Sequence, residues 1–245
     1  AVSNYEARLA AIDGGNMRNA IPREAVAVVT VPAEGVEDLM DLVHDYEALF
    51  LTEYAGVEKT LSFTAEQVEL PSGLIPEEVQ DDLINAITAC PNGMMRYIQD
   101  MPDVVETSNN LSIVKSDGEK IYVATLTRSS VESRKEELAS MIESVFTMAG
   151  AKVEFSGSYP GWQPNLQSRI LNTMSKVYQD MYGVTPKIMT VHAGLECGIL
   201  GRNYPEMDMI SFGPTMRFPH SPDEKVNIPT VAKFWDFLVA TLAAL

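Results

Sequence analysis

VVETSNNLSIVKSDGEKIYVATLTRSSVESRKEELASMIESVFTMAG, residues 104–150, reads as strand, turn, strand, helix. Residues 104–114 and 120–127 carry the β-branched and aromatic side chains that suit a pleated surface. Between them Ser116-Asp117-Gly118-Glu119 is a hairpin signal. Ser129-Ser130 offers hydroxyl caps to a helix over 131–148, and Gly150 stops it. Upstream, 76–89 predicts a helix whose first turn holds Glu77 and Glu78, favourable against the helix dipole. Cys90-Pro91-Asn92-Gly93 interrupts it, 94–99 predicts a further helical turn, and 151–156 another strand.

Nearer the start, 5–11 predicts a short helical end that Asp13-Gly14-Gly15 breaks. Residues 25–31, AVAVVTV, form a strand pattern. Residues 36–54 repeat apolar side chains at helical spacing, with Gly56 as the stop. Residues 60–68 alternate Leu61, Phe63 and Ala65 as a half-buried strand would. The order is β-α-β from Ala25 and α-β-β-α-β from Glu77. It predicts an α+β region of ferredoxin-like kind, an antiparallel sheet with helices on one face. Tyr159-Pro160-Gly161-Trp162-Gln163-Pro164 is a linker-like break. Beyond it come a helix over 165–182, a strand over 187–190, a short helix after Gly194, a strand over 207–212 and a closing helix over 229–245. That alternation is the α/β pattern of a mainly parallel sheet, and it divides the chain into 1–156 and 157–245.

The chain has 245 residues, 46% hydrophobic and 21% charged, enough apolar material for a sizeable core. Its formal charge of −16 repels phosphate backbones and anionic membrane surfaces, so nucleic acid and membrane are excluded as partners. No apolar run approaches the ~20 residues of a bilayer span, and no signal segment opens the chain. The expected setting is the cytoplasm, with Cys90 and Cys197 as reduced thiols.

Three histidines are present. His44 and Glu47 lie at i, i+3 on a predicted helix, a spacing that suits a shared metal, although a solvated helix face explains them as simply. His192 opens His192-Ala193-Gly194-Leu195-Glu196-Cys197-Gly198, where glycines before a helix expose backbone N–H groups to an anion. The histidine itself reads as a turn residue. His220 lies between Pro219 and Pro222 on a stiff loop after a predicted strand, with Asp223 and Glu224 nearby to orient a neutral imidazole on a metal. A structural loop histidine is the alternative. A catalytic zinc takes about three protein ligands, and this chain offers one good candidate.

His192-Ala-Gly-Leu-Glu-Cys-Gly198, Met209-Ile-Ser-Phe-Gly-Pro214 and Phe218-Pro-His-Ser-Pro-Asp-Glu224 together resemble the C-terminal signature of aminoacyl-histidine dipeptidases. These are co-catalytic zinc peptidases, a group that includes carboxypeptidase G and the aminoacylases. Asp13-Gly-Gly-Asn-Met-Arg-Asn-Ala-Ile-Pro-Arg-Glu24 resembles their lid segment. The resemblance implies that 1–156 is a lid domain lacking its N-terminal part, and that 157–245 is the last part of the catalytic domain. It implies hydrolysis of Xaa-His and related dipeptides with two zinc ions, His220 being the metal ligand present here. The other ligands and the general base are expected upstream, so this chain alone would hold zinc weakly or not at all. It implies substrate contacts for Asn19, Arg128 and Gly194, and a homo-oligomer. The rival reading is a non-catalytic ferredoxin-like module for dimerisation or binding.

Overall fold

A computed structural model describes residues 5–163, 165–189, 195–218 and 223–245. Its centre is the hairpin read from the sequence, β4 (Met101–Ser116) and β5 (Ile121–Ser129). The turn is closed by Asp117 N donating to the Lys120 carbonyl at 3.1 Å, and by the Asp117 carboxylate accepting from Glu119 N and Lys120 N at 3.0 and 2.8 Å. Those amide bonds, Lys120 first, hold the Asp117 carboxyl below its usual range. The full sheet has five strands in the order β2-β1-β4-β3, with β5 also paired to β4. Here β1 is Arg8–Gly14, β2 Ala25–Thr30 and β3 Gly93–Ile98. Strand β1 runs antiparallel to both β2 and β4. Only Gln99 and Asp100 join β3 to β4, and so short a link forces antiparallel pairing.

Six expectations change. Of residues 5–11 only Tyr5 is helical: from Arg8 they enter β1, because the sheet position between β2 and β4 overrides the helix propensity of RLAA. Residues 94–98 belong to β3, since a hairpin to β4 satisfies their backbone where a lone helical turn would not. Residues 60–68 join no strand. Phe63 instead packs edge-on against Phe50 with ring centroids 5.6 Å apart, and its N–H donates to the Glu47 carboxylate at 3.0 Å. Residues 151–156, 187–189 and 207–212 are likewise outside any ladder among the described residues. Their β-branched composition suits a strand, but a strand also needs a neighbour to bond.

The helices follow the expected pattern: α1 is Val36–Glu53, α2 Glu77–Ala89, α3 Glu132–Met148, α4 Arg169–Tyr182, α5 Glu196–Asn203 and α6 Ile228–Ala244. By contact density the chain forms two units, one of 1–93, 109–127 and 138–153, the other of 94–108, 128–137 and 154–245.

In the first unit Leu138, Ile142 and Phe146 recur every four residues and put one face of α3 into the core. Ala86 and Cys90 meet them, with Leu111 and Val123 of the hairpin alongside. Burial pushes the Cys90 thiol up and makes it a poor nucleophile. Gln80 of α2 is fully buried, and its side-chain oxygen accepts from Leu9 N at 2.6 Å. Leu9 stands at the edge of a register shift in β1, between Leu9 and Ala11.

In the second unit α4 and α6 pack through Tyr178, Phe237 and Phe212. Lys233 lies over the Tyr178 and Tyr182 rings at 4.8 and 4.2 Å. Ser168 caps α4 by accepting from Leu171 N at 3.0 Å. The Asp208 carboxylate joins that cap; bonds from the Ser168 hydroxyl and then Ile170 N hold its carboxyl low.

Candidate functional site

Asn19 sits exposed in the turn that follows β1 in the first unit. The turn is closed by Ala20 N donating to the Met17 carbonyl at 3.3 Å, and by Gly15 N donating to the Glu24 carbonyl at 3.2 Å. Gly15 has a φ of +69°, and a Cβ there would stand 1.8 Å from the Ser112 carbonyl oxygen, so only glycine lets the turn lie this close to β4. The amide of Asn110 donates to the carbonyls of Arg18 and Ala20 at 3.1 and 2.8 Å, bracketing Asn19.

Sequence reading missed Asn110, although Asn109-Asn110 inside a strand pattern was a usable signal. Asparagine is depleted in strands, and adjacent strand residues face opposite sides. Asn109, buried, donates to the Pro91 carbonyl at 2.7 Å and accepts from Thr127 Oγ1 at 3.1 Å.

Arg128 lies in the second unit, half-buried, one residue before the end of β5. The residues after it are fixed. Ser129 Oγ lies 2.8 Å from Thr107 Oγ1 and accepts from Val131 N at 3.1 Å, capping the entry to α3. Ser130 N donates to the Glu106 carbonyl at 3.0 Å. Beside this corner opens a cavity of about 340 Å³, lined by Asp100, Glu106, Ser130, Gln163, Asn165 and Gln167 among others. Ser130 Oγ is buried there without a hydrogen-bond partner among the described residues. Glu106 pairs with Arg96 at 3.4 Å.

His220 and Gly194 lie outside the described residues, as does His192. The base of the His220 loop is described. Strands β6 (Met216–Arg217) and β7 (Lys225–Val226) pair antiparallel on either side of it. Asn227 N donates to the Thr215 carbonyl at 2.9 Å, and Thr215 N to Thr230 Oγ1 at 2.9 Å. His44 is exposed on α1, and Glu47 is committed to Phe63 N. Among the described residues no three His, Cys, Asp or Glu side chains gather as a metal site. A zinc centre therefore does not fit the described donor set by itself.

The chain is 40% identical over 235 residues to the cytosol non-specific dipeptidase of Escherichia coli (strain K12), covering 96% of this chain and 48% of that protein. The crystal structure of aminoacylhistidine dipeptidase from Vibrio alginolyticus superposes on all of this chain and 50% of its own, with a TM-score of 0.91 and 43% identity. Along nearly its whole length the chain is therefore similar to about one half of each of these dipeptidases. The chain spans about half the length of the relatives it matches. Residues 2–58 match a peptidase dimerisation domain. The mixed α/β architecture with an antiparallel sheet is that of the superposed dipeptidase. No described helix is long and apolar enough to cross a membrane.

Proposed function

We propose that this chain is part of a zinc-dependent dipeptidase that cleaves Xaa-His and related dipeptides in the cytoplasm. The observation that carries the reading is the extent of the kinship: it covers the chain from end to end, at 43% identity in the structural match. On this reading 1–156 serves as the lid and 157–245 as the last part of the catalytic domain. His220, in the stretch of sequence between the paired strands β6 and β7, is the zinc ligand supplied here. Arg128 engages the carboxylate of the dipeptide through its planar fork of N–H donors, and Asn19 offers an amide. Gly194 contributes backbone beside the substrate. Zinc, when bound, supplies a water of lowered pKa and polarises the scissile carbonyl.

The same reading makes the protein a homo-oligomer. Strand β2 is the outer strand of the sheet order, and α1 buries no residue while exposing Met40, Leu49 and Leu51. The dimerisation match covers these elements.

The test is histidine release from an aminoacyl-histidine dipeptide by the full-length protein loaded with zinc. Release well above the metal-stripped control supports the reading, and its absence refutes it. The 245-residue chain alone is expected to hold substoichiometric zinc and to release no histidine.

A further inference from the structure

Residues 159–161 pass through the second unit with less clearance than any side chain would allow. A Cβ on Gly161 would stand 2.6 Å from the Ser130 carbonyl oxygen and 2.8 Å from that of Ser129. On the other side, a Cβ on Gly198 of α5 would stand 2.5 Å from the Pro160 carbonyl oxygen. Real Cβ atoms essentially never approach backbone so closely. The segment is also tied by charge. Lys135 Nζ donates to the Tyr159 carbonyl at 2.7 Å and pairs with the Glu132 carboxylate at 2.7 Å; its side chain is only 15% exposed. Glu132 in turn accepts from Gly161 N at 3.4 Å. Desolvation opposes the Glu132 carboxylate, yet the Lys135 and Gly161 hydrogen bonds and the charges of Lys135 and Arg202 hold its carboxyl below the usual range.

We infer that Tyr159-Pro160-Gly161 is a clasp, locked by Gly161, Gly198 and Lys135, that sets the strand end carrying Arg128 against the start of α5. Arg128 immediately precedes Ser129, whose carbonyl Gly161 abuts. Helix α5 begins two positions after Gly194 in sequence. Both residues are assigned to the substrate above, so the inference rests on that reading and deepens it. Gly161, Gly198 and Lys135 are positioning residues in this scheme and touch no substrate.

The test uses the full-length protein with Gly198→Ala, Lys135→Met and the conservative Lys135→Arg. Hydrogen exchange is read at Ser130 N and Val131 N, which the corner holds, and in α3 at Ile142 and Phe146. Kinetics are read on a dipeptide and on its C-terminal amide, which lacks the carboxylate. The clasp requires at least tenfold faster exchange at Ser130 and Val131 in Gly198→Ala and Lys135→Met, with α3 unchanged and Lys135→Arg near wild type. It also requires at least a tenfold loss of the preference for dipeptide over amide, carried mainly by KM. Unchanged exchange at the corner overturns the clasp. Equal losses on both substrates overturn its positioning role and reduce it to structure. A wild-type protein without turnover would remove the dipeptidase reading and leave the exchange data to decide the clasp.

Discussion

Asn110→Ala tests how the turn bearing Asn19 is held. The substitution deletes hydrogen bonds to the carbonyls of Arg18 and Ala20, 3.1 and 2.8 Å long, and touches no residue of the hydrophobic core. At about 0.5–1.5 kcal/mol net per bond, the turn loses about 1–3 kcal/mol of local stability. With about 1.4 kcal/mol per factor of ten, its open form becomes roughly 5- to 150-fold more populated. Arg18 is exposed within the turn, so trypsin reads the opening directly. When reclosing is fast, cleavage tracks the open population, and the rate at Arg18 should rise by the same factor. Cleavage at Arg169, at the start of α4, serves as the internal reference and should not change. Asn110→Asp should behave like the alanine variant or worse, because a carboxylate cannot donate to carbonyls. An unchanged rate at Arg18 in both variants would refute the claim that Asn110 holds the turn.

Further expectations concern the framework. Gln80→Leu removes the acceptor of Leu9 N and leaves a buried N–H unpaired, at a cost of about 1–3 kcal/mol. At about 2–4 °C per kcal/mol for a domain of this size, Tm should fall by roughly 2–12 °C; an unchanged Tm contradicts the assignment. The lowered Asp208 carboxyl contributes stability that is complete above its unfolded value, about pH 4, and is lost as pH falls through the folded value. Asp208→Asn should therefore flatten the acid limb of stability against pH below about 4, measured by denaturant melts, and a limb of unchanged slope counts against it.

The hairpin, α2, α3 and α6 were legible because each carries local instructions: turn chemistry, an acidic first turn, a stripe at helical spacing, a proline at the start of the last helix. Strand β1 was not, because its alanines favour helix and only neighbours distant in sequence make it a strand. Residues 60–68 have the alternation of a strand, but their partner is the α1 surface through Phe50 and Glu47. The pattern of a segment reports how its faces differ, not what lies beside it. The same limit applies at the candidate site. Asn19 was named from the motif it belongs to, and Arg128 from the family resemblance alone. Asn110 acts on a turn 90 residues earlier, and Gly161 and Gly198 matter only through the backbone each abuts, which no local pattern announces.

On the proposed reading this stretch completes a zinc dipeptidase through His220. Zinc content and histidine release should be measured together on the full-length protein and on its His220→Ala variant. The variant should retain its fold, lose bound zinc and fall at least a hundredfold in turnover. A variant that keeps the wild-type zinc content and releases histidine at the wild-type rate would contradict it.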